Sequence, residues 1–141
     1  MPFPEAMALM QEAIVSQGYT VSRVQHVDKG LRQRGYETGL YRVVFFGRPQ
    51  EMAWVRLNYP ALMPYLPLKI TLFEGDNYVG ASALQPATLS HFYKEEKIQQ
   101  LLENWQKDVT SIMAFYGRCG EAAAQSEGTH QPSISSLQID K

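Results

Sequence analysis

Leu40-Tyr41-Arg42-Val43-Val44-Phe45-Phe46-Gly47 is the stretch whose reading decides the fold. A near-continuous apolar run of strand length, rich in β-branched and aromatic residues and closed by glycine, reads as a central strand from Leu40 to Phe46, covered on both faces. Its one charge, Arg42, is costly in such a strand unless it reaches water, pairs with a carboxylate or faces a pocket. Pro49 then opens a short helix to about Asn58, with Met52, Val55 and Trp54 facing inward.

Toward the N-terminus, Pro4 to Gln17 has helical spacing. Met7, Met10 and Ile14 share one face, with Ala6, Leu9 and Ala13 beside them. Gly18 supplies the stop. Tyr19 to His26 reads as a strand whose imperfect alternation (Val21, Val24, Val27) predicts a bulge or an early end. Asp28 to Arg34 is polar and fits a short helical turn, and Gly35 and Gly39 bracket a loop.

Toward the C-terminus, Pro60, Pro64 and Pro67 leave room for no more than a single turn. Leu68 to Glu74 is the next strand, with Ile70 and Leu72 on one side and Lys69, Thr71 and Phe73 on the other. Gly75-Asp76-Asn77 marks a tight turn, so Tyr78 to Leu84 pairs back as a hairpin that ends at Gln85-Pro86. The last helix runs from about Leu89 to Tyr116. Its stripe is Ile98, Leu101, Leu102, Trp105, Val109, Ile112, Met113 and Tyr116, and Gly117 ends it. The order of elements predicts an α+β domain over residues 1–117, a hairpin-rich sheet with helices on one face. Residues 118–141 carry few large aliphatics and are expected to be a disordered tail. The alternative is a short docking segment using Ile134, Leu137 and Ile139.

The 141 residues suit one domain, and 45% apolar with 19% charged residues is an ordinary globular balance. A net charge of -1 argues against a nucleic-acid binder. The single cysteine, Cys119, permits no internal disulfide. No segment approaches a bilayer span. The start, Met1-Pro2-Phe3-Pro4-Glu5, lacks the basic residues and apolar run of a signal peptide. A cytoplasmic protein is expected; a removed leader on a longer precursor is the alternative.

Four features in order carry a family resemblance. The first helix runs into Gly18-Tyr19-Thr20-Val21. The strand Tyr41-Arg42-Val43-Val44-Phe45-Phe46-Gly47 ends in Arg48-Pro49. Leu66-Pro67-Leu68-Lys69-Ile70 opens the third strand, and Gln85-Pro86 closes the fourth. Over about residues 3–90 this resembles the bacterial family catalogued as domain of unknown function 302. The resemblance implies a TATA-binding-protein-like fold, a curved antiparallel sheet packed by the first helix and the long C-terminal helix. The family usually has Asn-Pro where Arg48-Pro49 stands, and a strand before the first helix where this chain has only Met1-Pro2-Phe3. The sheet edge that such a lost strand would expose implies a homodimer. No agreed catalytic motif belongs to the family, so no site residue follows from the resemblance.

The residues themselves point away from known catalytic sets. His26, His91 and His130 form no metal spacing with each other, with Cys119 or with a carboxylate pair. His91, among Leu89, Phe92 and Tyr93, is the one candidate haem ligand. Arg118 beside Cys119 favours the thiolate and the end of a helix opposes it. Nucleophile elbows and phosphate loops are absent from the sequence. Glu95-Glu96 diverge on a helix, and Glu74 and Asp76 flank a turn. Charge is uneven: residues 23–56 hold seven cations against three anions, a net +4, which leaves -5 on the rest. Such a basic pole steers anions or acidic partners. Tyr36, Tyr41, Tyr59, Tyr65, Tyr78, Tyr93, Trp54 and Phe73 crowd the middle of the chain as core or half-buried residues. Some of them, with Met63 and Met113, are candidates to line a cleft between the sheet and the last helix. The expectation is a non-enzymatic binding module for a small apolar or anionic ligand, with haem as one version. Its candidate site residues are Arg42, His91, Tyr41, Met63 and Phe73. A protein-interaction or structural module without a ligand is the alternative.

Overall fold

The computed structural model describes residues 1–126 and 139–140. Helix α1 spans Phe3–Ser16 and buries Phe3, Ala6, Met10, Ala13 and Ile14, one helical stripe. It stops where Gly18 takes φ 87°, a conformation that glycine adopts without strain. The Gly18 and Tyr19 N–H groups then donate to the last carbonyls of the helix. Strand β1 (Thr20–His26) follows, and α2 (Val27–Gln33) leads to β2 (Tyr41–Gly47). Helix α3 (Pro49–Asn58) and a 3-10 turn (Pro60–Tyr65) precede the hairpin of β3 (Leu68–Glu74) and β4 (Val79–Leu84). A second 3-10 turn (Pro86–His91) leads into α4, Glu96–Ser126.

Strands β1 to β4 pair in sequence order as an open antiparallel meander. The expected irregularity in β1 is a bulge, a register shift between Val21 and Arg23. The short strand β5 (Ile139–Asp140) lies parallel to β4, with Ile139 opposite Ala83. One sheet face carries Val44, Phe46, Ile70, Leu72 and Ala81, all 0% exposed. Against it pack α1 and the α4 stripe of Ile98, Leu102, Trp105, Val109, Ile112, Met113 and Tyr116. Tyr116 donates its hydroxyl to Val79 O at 3.1 Å, so the one polar atom it takes into the core is satisfied.

Three expectations change. Strand β2 is covered on one face only: Tyr41 is exposed and Val43 and Phe45 are half-buried, because the helices all lie on the other side. The Arg23 guanidinium, 4.5 Å over the Phe45 ring, provides part of the cover on the open face. The last helix begins at Glu96, because Pro86 starts a separate turn; the Gln99 side-chain amide donates to the Ser90 and Tyr93 carbonyls and so fixes the break. The helix also passes Gly117 and runs to Ser126. One glycine costs a helix only about 1 kcal/mol, too little by itself to stop one whose stripe is buried up to Tyr116. Residues 118–126 of the expected tail are therefore helical. Positions 127–138 and 141, which include Ile134 and Leu137, lie outside the described residues.

Phe73 on the open face fixes the identity of its neighbour across the hairpin. It pairs with Gly80, and a Cβ there would come within 2.4 Å of the Phe73 ring. Gly80→Ala is expected to lower stability by about 1–3 kcal/mol in urea unfolding. The double variant with Phe73→Leu should lose less than the sum of the two single changes.

Candidate functional site

Helix α1 turns Phe3, Met7 and Gln11, together with Pro4 and Ala8, to one side at i, i+4 spacing. Facing them are Val24 and His26 at the end of β1, Leu40, and Arg42 on β2. Between them lies a groove of about 470 Å³. Its walls are mainly apolar, and among the described residues that line it Arg42 and His26, opposite each other in the β1–β2 register, are the cationic or titratable groups.

Arg42 points to the helix-covered face, where its charge must be met. Asp28, fully buried in α2, meets it: Arg42 Nε donates to Oδ1 at 2.8 Å and Nη2 to Oδ2 at 3.4 Å. The Tyr41 N–H also donates to Oδ1, and Arg32 Nη1 stands 3.7 Å from Oδ2. The hydrogen bond from Arg42 lowers the Asp28 pKa from 3.8 to about 2, against the opposing effect of burial. Asp28 is thus a fixed anion near neutral pH and has no proton to offer as a general acid. Arg42 keeps 18% of its side chain exposed, and its Nη1 donates to no acceptor among the described residues. The arrangement can bind an anion; it holds no nucleophile and base pair.

The five candidate residues are not gathered into one site. Tyr41 and Phe73 are cross-strand partners on the open face, opposite to the side on which Arg42 lies. Met63 lines a smaller groove with Met52, Leu66 and Pro67. His91 is exposed at the end of the second 3-10 turn and lines none of these grooves. The expected cleft between sheet and long helix is filled by Trp105, Ile112, Met113 and Tyr116, each at most 1% exposed. Sequence reading missed Asp28 and His26, whose relation to Arg42 exists only through the β1–β2 pairing and the return of α2. Among the described residues no group of three or more His, Cys, Asp or Glu could hold a metal ion. None of the helices described is long and apolar enough to cross a membrane.

A second polar centre ties α1, β2, α3 and α4 together. Arg48 Nη2 donates to Gln17 O at 2.8 Å and to Asp108 Oδ2 at 3.1 Å, and Nη1 reaches the Glu51 carboxylate at 3.3 Å. The Arg48 guanidinium lies 3.9 Å over the Tyr19 ring. The Tyr19 hydroxyl donates to Asp108 Oδ2 at 2.6 Å, and Trp105 Nε1 donates to Glu51 Oε1 at 2.8 Å. Burial, then the Asp108 contact, pushes the Tyr19 pKa far above its ordinary value, so its phenol stays neutral. Burial works against the Arg48 charge, yet the Asp108 and Glu51 carboxylates raise its pKa.

A small α+β domain with helices on one face of an open four-stranded meander is the class these observations define. The chain belongs to the family described as "Domain of unknown function DUF302", which matches residues 1–115 and so takes in most of α4 as well as the sheet. Its fold is similar to that in the crystal structure of an uncharacterised conserved DUF302 protein from Bacillus stearothermophilus. The TM-score is 0.70 at 15% identity, over 82% of this chain and 91% of that one. No curated protein matches the chain.

The depressed Asp28 pKa sets an acid limit on stability. Its contribution is fully present above the unfolded value near 3.8 and is lost as pH falls through the folded value near 2. Unfolding followed by tryptophan fluorescence should show wild-type stability falling between about pH 4 and pH 2. In Asp28→Asn that limb should flatten, at the cost of lower stability near neutral pH.

Proposed function

We propose that this chain is a non-enzymatic binding module. Its ligand is a small amphipathic anion, with the carboxylate or phosphate on Arg42 and the apolar part between Met7, Val24 and Leu40. The observation that carries the reading is the half-committed guanidinium: Arg42 is anchored by Asp28 on one edge, and its remaining donors stand at a mainly apolar groove. Arg is suited to this double use because its planar fork offers donors on two edges at once. The basic pole of residues 23–56 supports it, since Arg23, Lys29, Arg32 and Arg34 lie close in sequence to β1 and α2 and add to the positive field there.

The groove takes all its walls from one chain, so this reading does not need the homodimer expected from the sequence. One edge of the sheet is β1, and its bulge and its Arg23 are features that discourage edge-to-edge pairing. The haem version has less support, because its intended ligand His91 stands apart from every groove described above.

Octanoate is a suitable probe. Isothermal titration should give saturable binding to the wild-type chain and much weaker binding of octanol, which lacks the charge. Ala8 is exposed on the groove wall, so Ala8→Trp should fill the groove and abolish binding without lowering the melting temperature. Equal binding of octanoate by wild type and Ala8→Trp would remove this groove as the site.

A further inference from the structure

The Arg48 centre has an outlet. On the flank away from the sheet, α3 and α4 leave a groove of about 430 Å³ between Gln50, Glu51 and Trp54 on one side and Lys97, Gln100, Leu101 and Asn104 on the other. The groove is independent of the one at Arg42 and shares no residue with it. Trp54 and Leu101 give it an apolar wall, and both are half-buried. The Trp54 ring also stands 5.5 Å from that of Tyr59.

The charge balance at the groove is uneven. Behind it, one cation, Arg48, is shared by two carboxylates, Glu51 and Asp108. Tyr19 stays neutral, so the linked centre carries one excess negative charge. Glu51 brings that excess to the groove, since its side chain is 25% exposed there. Its Oε1 accepts from both Trp105 and Arg48, whereas among the described residues Oε2 accepts from Arg48 alone, at 3.3 Å. Oε2 therefore retains acceptor capacity. A carboxylate with spare capacity beside an indole face suits a cation, because the ring quadrupole and the carboxylate attract the same charge.

We propose that the α3–α4 groove binds a small alkylammonium ion, with its charge at Glu51 and its methyl or methylene groups against Trp54 and Leu101. A hydrated metal ion fits less well, since Trp54 and Leu101 would displace part of its shell and Glu51, already held by Arg48 and Trp105, is the one carboxylate lining the groove among the described residues. An anion fits poorly too: among the described residues Lys97 is the only cation lining the groove, it is exposed, and the centre behind Glu51 is negative. Lys97 instead opposes the bound cation and limits its affinity.

Choline and its uncharged carbon isostere, 3,3-dimethylbutan-1-ol, separate charge recognition from simple apolar contact. With the full chain at constant ionic strength, choline should give saturable shifts of the Trp54 indole resonance in NMR. The isostere should bind at least about tenfold more weakly, a difference of about 1.4 kcal/mol. Trp54→Ala should abolish choline binding. Lys97→Ala, a change at an exposed position, should tighten it by about two- to threefold, an effect that loss of packing would not produce. Equal affinity for choline and the isostere would reduce the site to an apolar groove and overturn the proposal. Absence of choline binding at 100-fold excess over protein in both wild type and Lys97→Ala would overturn it as well.

Discussion

Trp105 is the residue on which the rest of the structure depends. It is fully buried at the middle of the α4 stripe, and its indole N–H cannot be left without a partner there. Glu51 on α3 accepts that N–H, and a half-buried acceptor with a charge is stabilised by a counter-charge of its own. Arg48 supplies it and extends the chain of contacts to Asp108 on α4, to Tyr19 at the head of β1 and to the Gln17 carbonyl at the end of α1. One aromatic side chain placed in the core thus obliges four elements to meet at fixed distances. Each of those contacts is modest in water, but in a half-buried setting they reinforce one another. Removing one member leaves its partners unsatisfied, which costs more than the lost bond is worth.

The same construction separates two surfaces of unlike character. Helix α4 crosses the helix-covered face of the sheet, and its stripe fills the space where a ligand cleft was expected. What remains open lies on the flanks. The α1 flank holds Arg42, whose carboxylate partner is buried and spoken for, so that side presents positive charge over apolar walls. The α3 flank holds Glu51, whose arginine partner is shared with a second carboxylate, so that side presents negative charge beside Trp54. In each case an ion pair with unequal partners leaves the sign of the surface. The folding requirement is met by the paired edge and the recognition capacity sits on the other.

How far the sequence could be read follows from what each signal depends on. The β3–β4 hairpin and the α4 stripe were legible because turn chemistry and periodicity are local properties. The bulge in β1 showed in its broken alternation for the same reason. Coverage of β2 was not legible: an apolar run implies two covered faces only if something lies on both, and nothing in Leu40–Gly47 says where the helices go. Arg42 was recognised as needing water, a carboxylate or a pocket, and it has both of the last two. Its partner stayed hidden, because Asp28 comes to it through strand pairing fourteen positions away, and no spacing rule encodes that. The Arg48–Glu51 pair at i, i+3 was open to inspection, but its meaning came from Trp105 and Asp108, far along the chain.

A fold similarity at TM-score 0.70 with 15% identity shows that the same backbone is compatible with largely different side chains. The meander and its covering helices are met by any sequence with the right period and turns. The two groove chemistries are not: they need an arginine at position 42 with an acid returned by α2, and a tryptophan and a glutamate one turn apart on α3 above a shared arginine. The proposed binding reading rests on these few charged and aromatic side chains on the flanks. Neither groove places a nucleophile beside a base, and each joins one unbalanced charge to an apolar wall. That combination suits a ligand recognised by its charge and its shape, and the proposed binding reading rests on it.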